Sequence, residues 1–243
     1  MRVGIFSDVH GNLEALEQVL RTLKAEHCDE IVFLGDAVGY GPQPDECVAA
    51  IAEVASLAIL GNHDDAVLGR TNPFFFNDLA LRAVLWTGRV ITQETRAGLG
   101  RYELVGRRDG IFFVHATPVN PPAWEYLHDI TDTERNFAAF TERICFIGHS
   151  HTPGGFASGA EGGFYPLPGH GRITLNPRNR YIINVGSVGQ PRDGDPRACF
   201  ALYDQQTGIV EFHRVEYDVQ KTQQLMRTRR LPEMLALRLQ FGH

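Results

Sequence analysis

The chain has 243 residues, 43% of them hydrophobic and 21% charged. That balance excludes a disordered or low-complexity polymer and is long enough to bury a full core, so a single domain over residues 1–243 is expected. The formal charge of −6 argues against a basic surface that grips long nucleic acid.

Four scattered cysteines, Cys28, Cys47, Cys145 and Cys199, form no C-x-x-C pair and predict neither a disulfide framework nor a thiolate metal site. No apolar run has membrane-spanning length, and the N-terminus shows no signal-peptide pattern. The expected location is the cytoplasm, with no membrane partner.

In chain order, Val3 to Phe6 reads as a strand, and Asn12 reads as the N-cap of a helix with Leu13, Leu16, Leu20 and Leu23 on one face. The same strand-then-helix pattern recurs at Ile31 to Leu34 with a helix from about Asp45, and a third strand is expected at Leu57 to Leu60. These are predicted to lie parallel. A helical stretch follows between Phe74 and Thr95, in which the Phe74-Phe75-Phe76 run is expected to pack against a sheet rather than line a substrate pocket. Strands are expected to end at Ile111 to Val114 and at Ile144 to Ile147. From Gly154 to Tyr217 short strands alternate with Gly, Pro, Asn and Asp, predicting antiparallel hairpins, and Val219 to Phe241 is helical with a break at Pro232.

Polar residues collect directly after these strands, where α/β sheets place their ligands. Five of the ten histidines, His10, His63, His115, His149 and His151, stand there beside Asp8, Asp36 and Asn62. Hard oxygens and imidazole nitrogens without a thiolate suit first-row divalent ions such as manganese, iron, nickel or zinc. The Asp8-x-His10 spacing lets a chain leaving its strand aim two side chains at one ion, and His149-x-His151 repeats it. A carboxylate such as Asp36 can bridge two ions, and the Asn62 amide fills a coordination position without cancelling charge. Two divalent ions against Asp8 and Asp36 leave roughly two net positive charges, a site suited to phosphate. His27, His128, His170, His213 and His243 are assigned no role, and the Arg227, Arg229 and Arg230 run reads as a solvated helix face.

Asp8-x-His10, Gly35-Asp36, Gly61-Asn62-His63-Asp64, His115 and Gly148-His149-x-His151 occur in an order that resembles the calcineurin-like metallophosphoesterase superfamily. The stretch Gly186 to Arg192 resembles its small bacterial and archaeal phosphodiesterase-like branch. The resemblance implies an α/β fold of two packed mixed β-sheets flanked by helices in four α/β/β/α layers. It also implies one metal held by Asp8, His10, Asp36 and His151, and a second by Asp36, Asn62, His115 and His149. A hydroxide shared by the two ions would then attack a small phosphorylated substrate in line, with a nucleotide among the candidates, and His63 would serve as general acid. Asp64 is weighed as a residue that orients His63 against a reading as a solvated turn residue. The stretch Gly35 to Gly41 lacks the Asp and Arg of the protein Ser/Thr phosphatase signature, leaving Arg192 as the candidate phosphate contact beside a plainer reading as a surface salt bridge. A phosphodiester is the favoured substrate. A phosphomonoesterase or protein phosphatase on the same core, and a noncatalytic scaffold like the retromer subunit of this superfamily, stand as alternatives.

Overall fold

The computed structural model describes residues 1–127 and 129–243. His128 therefore lies outside the described residues. The strands are β1 (Arg2–Phe6), β2 (Glu30–Phe33), β3 (Leu57–Ala58), β4 (Val105–Arg108), β5 (Ile111–Val114), β6 (Ile144–Ile147), β7 (Gly154–Ser158), β8 (Phe164–Leu167), β9 (Arg172–Thr174), β10 (Arg180–Asn184), β11 (Ala198–Asp204) and β12 (Ile209–Val215). The helices are α1 (Leu13–Ala25), α2 (Pro44–Val54), α3 (Asn62–Val67), α4 (Asp78–Val90), α5 (Gln93–Leu99), α6 (Thr133–Ala138), α7 (Val219–Thr228) and α8 (Glu233–Leu237).

The strands form two mixed sheets of six, ordered β3-β2-β1-β11-β12-β9 and β4-β5-β6-β10-β7-β8. Side chains alternate across each strand, so Val3 and Ile5 of β1 meet Phe113 of β5 and Phe146 of β6 in a core between the sheets. Phe6 and Phe33 face the other way, against Leu16, Val19 and Leu23 of α1 and Ile51 of α2. On the outer face of the second sheet, Phe112, Cys145 and Ile182 pack against Phe137 of α6 and Phe140. These three interfaces stack the molecule as helix, sheet, sheet, helix, the architecture expected from the motifs.

Local signals set the helix ends. The Asn12 side chain accepts the Ala15 N–H and opens α1, and Pro44 stands in the first turn of α2. Strands β1, β2 and β3 are parallel, as their spacing predicts.

The chain after residue 151 departs from a simple run of hairpins. β11 and β12 form one, and β7 and β8 another. However, β10 lies parallel to β6, while β9, β11 and β12 return to the first sheet. The second sheet begins before residue 151, with β4, β5 and β6. Strand assignment to a sheet is a long-range pairing choice that short alternating runs do not encode.

Candidate active site

Each candidate ligand follows the C-terminal end of a strand. Asp8 and His10 follow β1, Asp36 follows β2, His115 follows β5, His149 and His151 follow β6, and Asn62 opens α3 beyond β3. Backbone bonds knit these loops together. Asp8 N–H donates to Gly35 C=O at 2.9 Å, His10 N–H to Asp36 C=O at 2.9 Å and Gly148 N–H to His115 C=O at 2.8 Å.

Five of the seven candidate ligands sit in the left-handed backbone region: Asp8 (φ 55°), His10 (50°), Asp36 (60°), His149 (67°) and His151 (61°). Such residues cost of order 1–3 kcal/mol each, and the surrounding structure must hold them there. Gly35 and Gly39 have φ of +102° and +110°, and a Cβ on Gly39 would stand 2.5 Å from His63 Nδ1.

The imidazoles are oriented by backbone carbonyls. The Nδ1–H groups of His10, His115 and His151 donate to Val38 O (3.0 Å), Leu34 O (2.8 Å) and Gln190 O (2.6 Å), leaving each Nε2 turned inward. His149 is held the opposite way, donating Nε2–H to Trp124 O at 2.9 Å.

The free atoms converge. His10 Nε2 and His151 Nε2 are 3.1 Å apart, and His151 Nε2 is 3.4 Å from Asp8 Oδ1, which is buried and has no hydrogen-bond partner. Asp36 Oδ2 lies 3.6 Å from His10 Nε2 and 3.4 Å from His115 Nε2, while Asn62 Oδ1 is 3.2 Å from His115 Nε2. The grouping Asp8, His10, His151 and the grouping Asp36, His115, His149 each bring their ligand atoms within 4.8 Å of one another. A buried cluster of carboxylate oxygens and imidazole nitrogens needs positive charge among its atoms, and its nitrogen and oxygen donors without thiolate fit divalent metal.

Burial and mutual charge shift the titrating groups of the cage strongly. Burial pushes the Asp8 carboxyl up to about 7, against the pull of His115. Burial acts in the same direction on Asp36, but His115, His63 and His10 together hold it well below the usual carboxylate range. Burial pushes His10 and His151 well down and His149 down to about 3. His115, although buried, is raised to about 9 by Asp36 and Asp8.

His63 is buried beside this cage, pushed down to about 4 by burial, with Nδ1 unpartnered. Its backbone N–H donates to Asp36 Oδ1 at 2.8 Å, and its ring also comes within ligand range of His10 and Asp36. Asp64 makes its contacts elsewhere than expected. Its Oδ2 accepts the N–H of Asp36 (2.9 Å) and Gly61 (3.2 Å), and its Oδ1 accepts that of Val38 (3.1 Å), so it braces the backbone carrying Asp36 rather than the His63 ring.

Arg192 is no surface salt bridge. Its Nη2 donates to Tyr40 Oη and Gln190 Oε1 at 3.3 Å each, and among the described residues it forms no ion pair. Arg238 also donates to Gln190 Oε1 and lies over the Tyr40 ring at 4.8 Å.

A cavity of about 570 Å³ opens beside the cage, lined in part by Asn62, His63 and His149 and by Tyr40, Phe75, Phe76, Trp124 and Tyr126. Phe74 and Phe75 are 75% and 86% exposed, so the phenylalanine run does not pack on a sheet as expected, and only Phe76 is tucked in, against His63. Tyr40, Trp124, Tyr126 and Arg238 are contributions the sequence reading missed. Tyr40 lies within the Gly35 to Gly41 stretch and could have been singled out there, whereas no spacing flags the others.

The model for the calcineurin-like phosphoesterase superfamily domain matches residues 1–208. The chain is 40% identical over 247 residues to an uncharacterized protein of Methanocaldococcus jannaschii, covering 99% of this chain and 98% of that one. A crystal structure of a metallophosphoesterase from Sphaerobacter thermophilus shares 40% identity with a TM-score of 0.87, covering 100% of this chain and 99% of that one. A hypothetical protein from Pyrococcus horikoshii shares the fold at 23% identity and a TM-score of 0.80, covering 100% and 98% of the two chains. With its paired six-stranded sheets and its imidazole–carboxylate cage at their strand ends, the chain belongs to the calcineurin-like phosphoesterase superfamily.

Proposed function

We propose that the protein is a phosphodiesterase for small phosphorylated substrates that uses two divalent transition-metal ions. Asp8, His10, Asp36 and His151 would hold one, and Asp36, Asn62, His115 and His149 the other, with Asp36 between them. Manganese, iron, nickel and zinc all suit this nitrogen and oxygen set. When bound, the ions supply Lewis-acid polarisation of the phosphoryl oxygens and an activated water.

The remaining work falls to this chain's own groups. His63 lines the cavity at the edge of the cage, where its imidazole can hand a proton to the departing alkoxide. Burial disfavours the imidazolium, and an anionic phosphodiester beside the ring opposes that effect. Arg192, without a carboxylate partner among the described residues, supplies a guanidinium for a non-reacting phosphate oxygen. Asp64 fixes the turn that carries Asp36.

The observation that carries this reading is the convergence of Asp8 Oδ1, Asp36 Oδ2 and the Nε2 atoms of His10, His115 and His151, with the outer nitrogen of each of these rings bonded to a carbonyl. Its test combines metal analysis with turnover of phosphomonoesters, cyclic nucleotides and linear diesters under each of the four metals. Two ions per chain and faster cleavage of diesters are expected. Faster cleavage of monoesters would overturn the diester preference alone. A protein inert with every metal would point instead to an interaction scaffold.

A further inference from the structure

We propose that the cavity beside the cage seats the nucleoside of the substrate, so that the scissile phosphate belongs to a nucleotide ester whose base stacks on Phe75, Phe76, Trp124 and Tyr126. This rests on the phosphoesterase reading of the neighbouring cage and names what its substrate carries.

The volume of about 570 Å³ lies in the range that buries most of a small organic ligand. Aromatic rings extend outward from the cage along two lines. On one, His63 has its centroid 4.6 Å from Tyr40 and 4.9 Å from Phe76. On the other, His115 lies 6.0 Å from Trp124, and His149 stacks on Tyr126 at 4.1 Å with an interplanar angle of 21°. A flat group attached to a phosphate held at the cage therefore meets ring faces or edges on both sides.

Phe75 belongs to none of the buried clusters and is 86% exposed. Its ring therefore has no partner within the fold to leave, and it stands at the cavity wall where a flat group can stack on it.

Trp124 is fixed at both ends. Its carbonyl accepts His149 Nε2–H, its indole N–H donates to Thr71 Oγ1 at 3.2 Å, and its backbone sits at φ 54°. A strained residue held by a candidate metal ligand on one side and by a separate loop on the other makes a rigid platform.

The rim selects against a greasy occupant. Asn72 Oδ1 accepts the Phe74 N–H and Asn77 Oδ1 accepts the Ala80 N–H, so what these side chains have left to offer is amide N–H. Nucleobases present ring nitrogens and carbonyl oxygens to such donors, whereas an acyl chain would desolvate them without replacement.

The test compares two substrates that share one phosphodiester. The first is the methyl ester of thymidine 5′-monophosphate, and the second is the same methyl ester built on the abasic sugar, each hydrolysed by the metal-loaded full chain. A kcat/KM ratio of about tenfold or more in favour of the base is expected, the effect of one stacked base. Phe75→Ala should shrink that ratio to about threefold or less, with circular dichroism checking that the variant, altered only at an exposed ring, keeps its fold.

A binding measurement accompanies it. In a Trp86→Phe background, where Trp124 is the remaining indole, adenosine 5′-monophosphate should quench fluorescence at concentrations about tenfold below those at which ribose 5-phosphate binds in competition. Equal rates on the two methyl esters, with equal binding of the two phosphates, would overturn the proposal while leaving the hydrolase reading intact. If neither ester were cleaved under any metal, the hydrolase reading would fall, and the binding comparison would still decide for or against a nucleoside seat.

Discussion

His63 and Asp64 are neighbours in the first turn of α3, yet they act on different things. His63 faces the cavity, so His63→Ala should lower turnover by about 10²- to 10⁴-fold, the usual range for a positioned acid, with metal content retained. Loss of metal in that variant would instead make His63 a ligand, which its proximity to His10 and Asp36 permits. Asp64 holds three backbone N–H groups. Asp64→Asn turns one accepting oxygen into a donor against them and should cost about 1–3 kcal/mol of stability while speeding metal release to a chelator. A variant with unchanged melting and unchanged metal release would contradict the bracing role. The Asp-x-His and His-x-His pairs were legible as ligand candidates from residue type, spacing and their place directly after strands. That Asp64 would turn to the backbone was not, because its partners lie 26 and 28 positions away as well as three.

At the scale of elements, β1 and β2 with their following helices were legible because apolar runs, an Asn cap and a first-turn proline all agreed. β10 and β9 were legible as strands but not as members of their sheets. Strand β12 carries a pH-dependent feature away from the site. His213 stacks on Phe200 of β11 at 5.0 Å, and its Nε2 is buried without a hydrogen bond. Burial first, with Arg2 and Arg172 assisting, holds its pKa below the usual 6.5 against Glu211 and Glu26. A folded-state pKa below the unfolded value gives a contribution present above pH 6.5 and lost as pH falls through the folded value. His213→Phe keeps the ring and removes the proton, so the stability of the variant relative to the parent should rise steadily from pH 7 to pH 5 in urea titrations. A difference independent of pH would show that the histidine does not titrate in this range.

Across the whole molecule, the cage joins strand ends from both sheets, so its occupancy should govern global stability. Metal at about a thousand times its Kd stabilises by about 4 kcal/mol, and chelation should lower Tm by about 10 °C in a chain of this size. A Tm indifferent to chelator would argue against a metal cage. The family model ends at residue 208, but β12 pairs with β11 along its length, Thr222 of α7 donates to Asn12 Oδ1 at 3.0 Å, and Arg238 covers Tyr40. We therefore propose one cooperative unit over the full chain. A fragment of residues 1–208 should lose the single sharp unfolding transition of the parent and expose the face of β11. By itself, the sequence determined which residue types could bind metal and the local strands and helices that carry them, since cap chemistry, apolar periodicity and ligand type are properties of neighbouring residues. Only the tertiary structure decided the left-handed turns at Asp8, His10, Asp36, His149 and His151, the carbonyls that orient the imidazoles, and the aromatic walls from Tyr40 to Trp124. Each of those depends on contacts between segments far apart in the chain, which packing creates and local pattern does not encode.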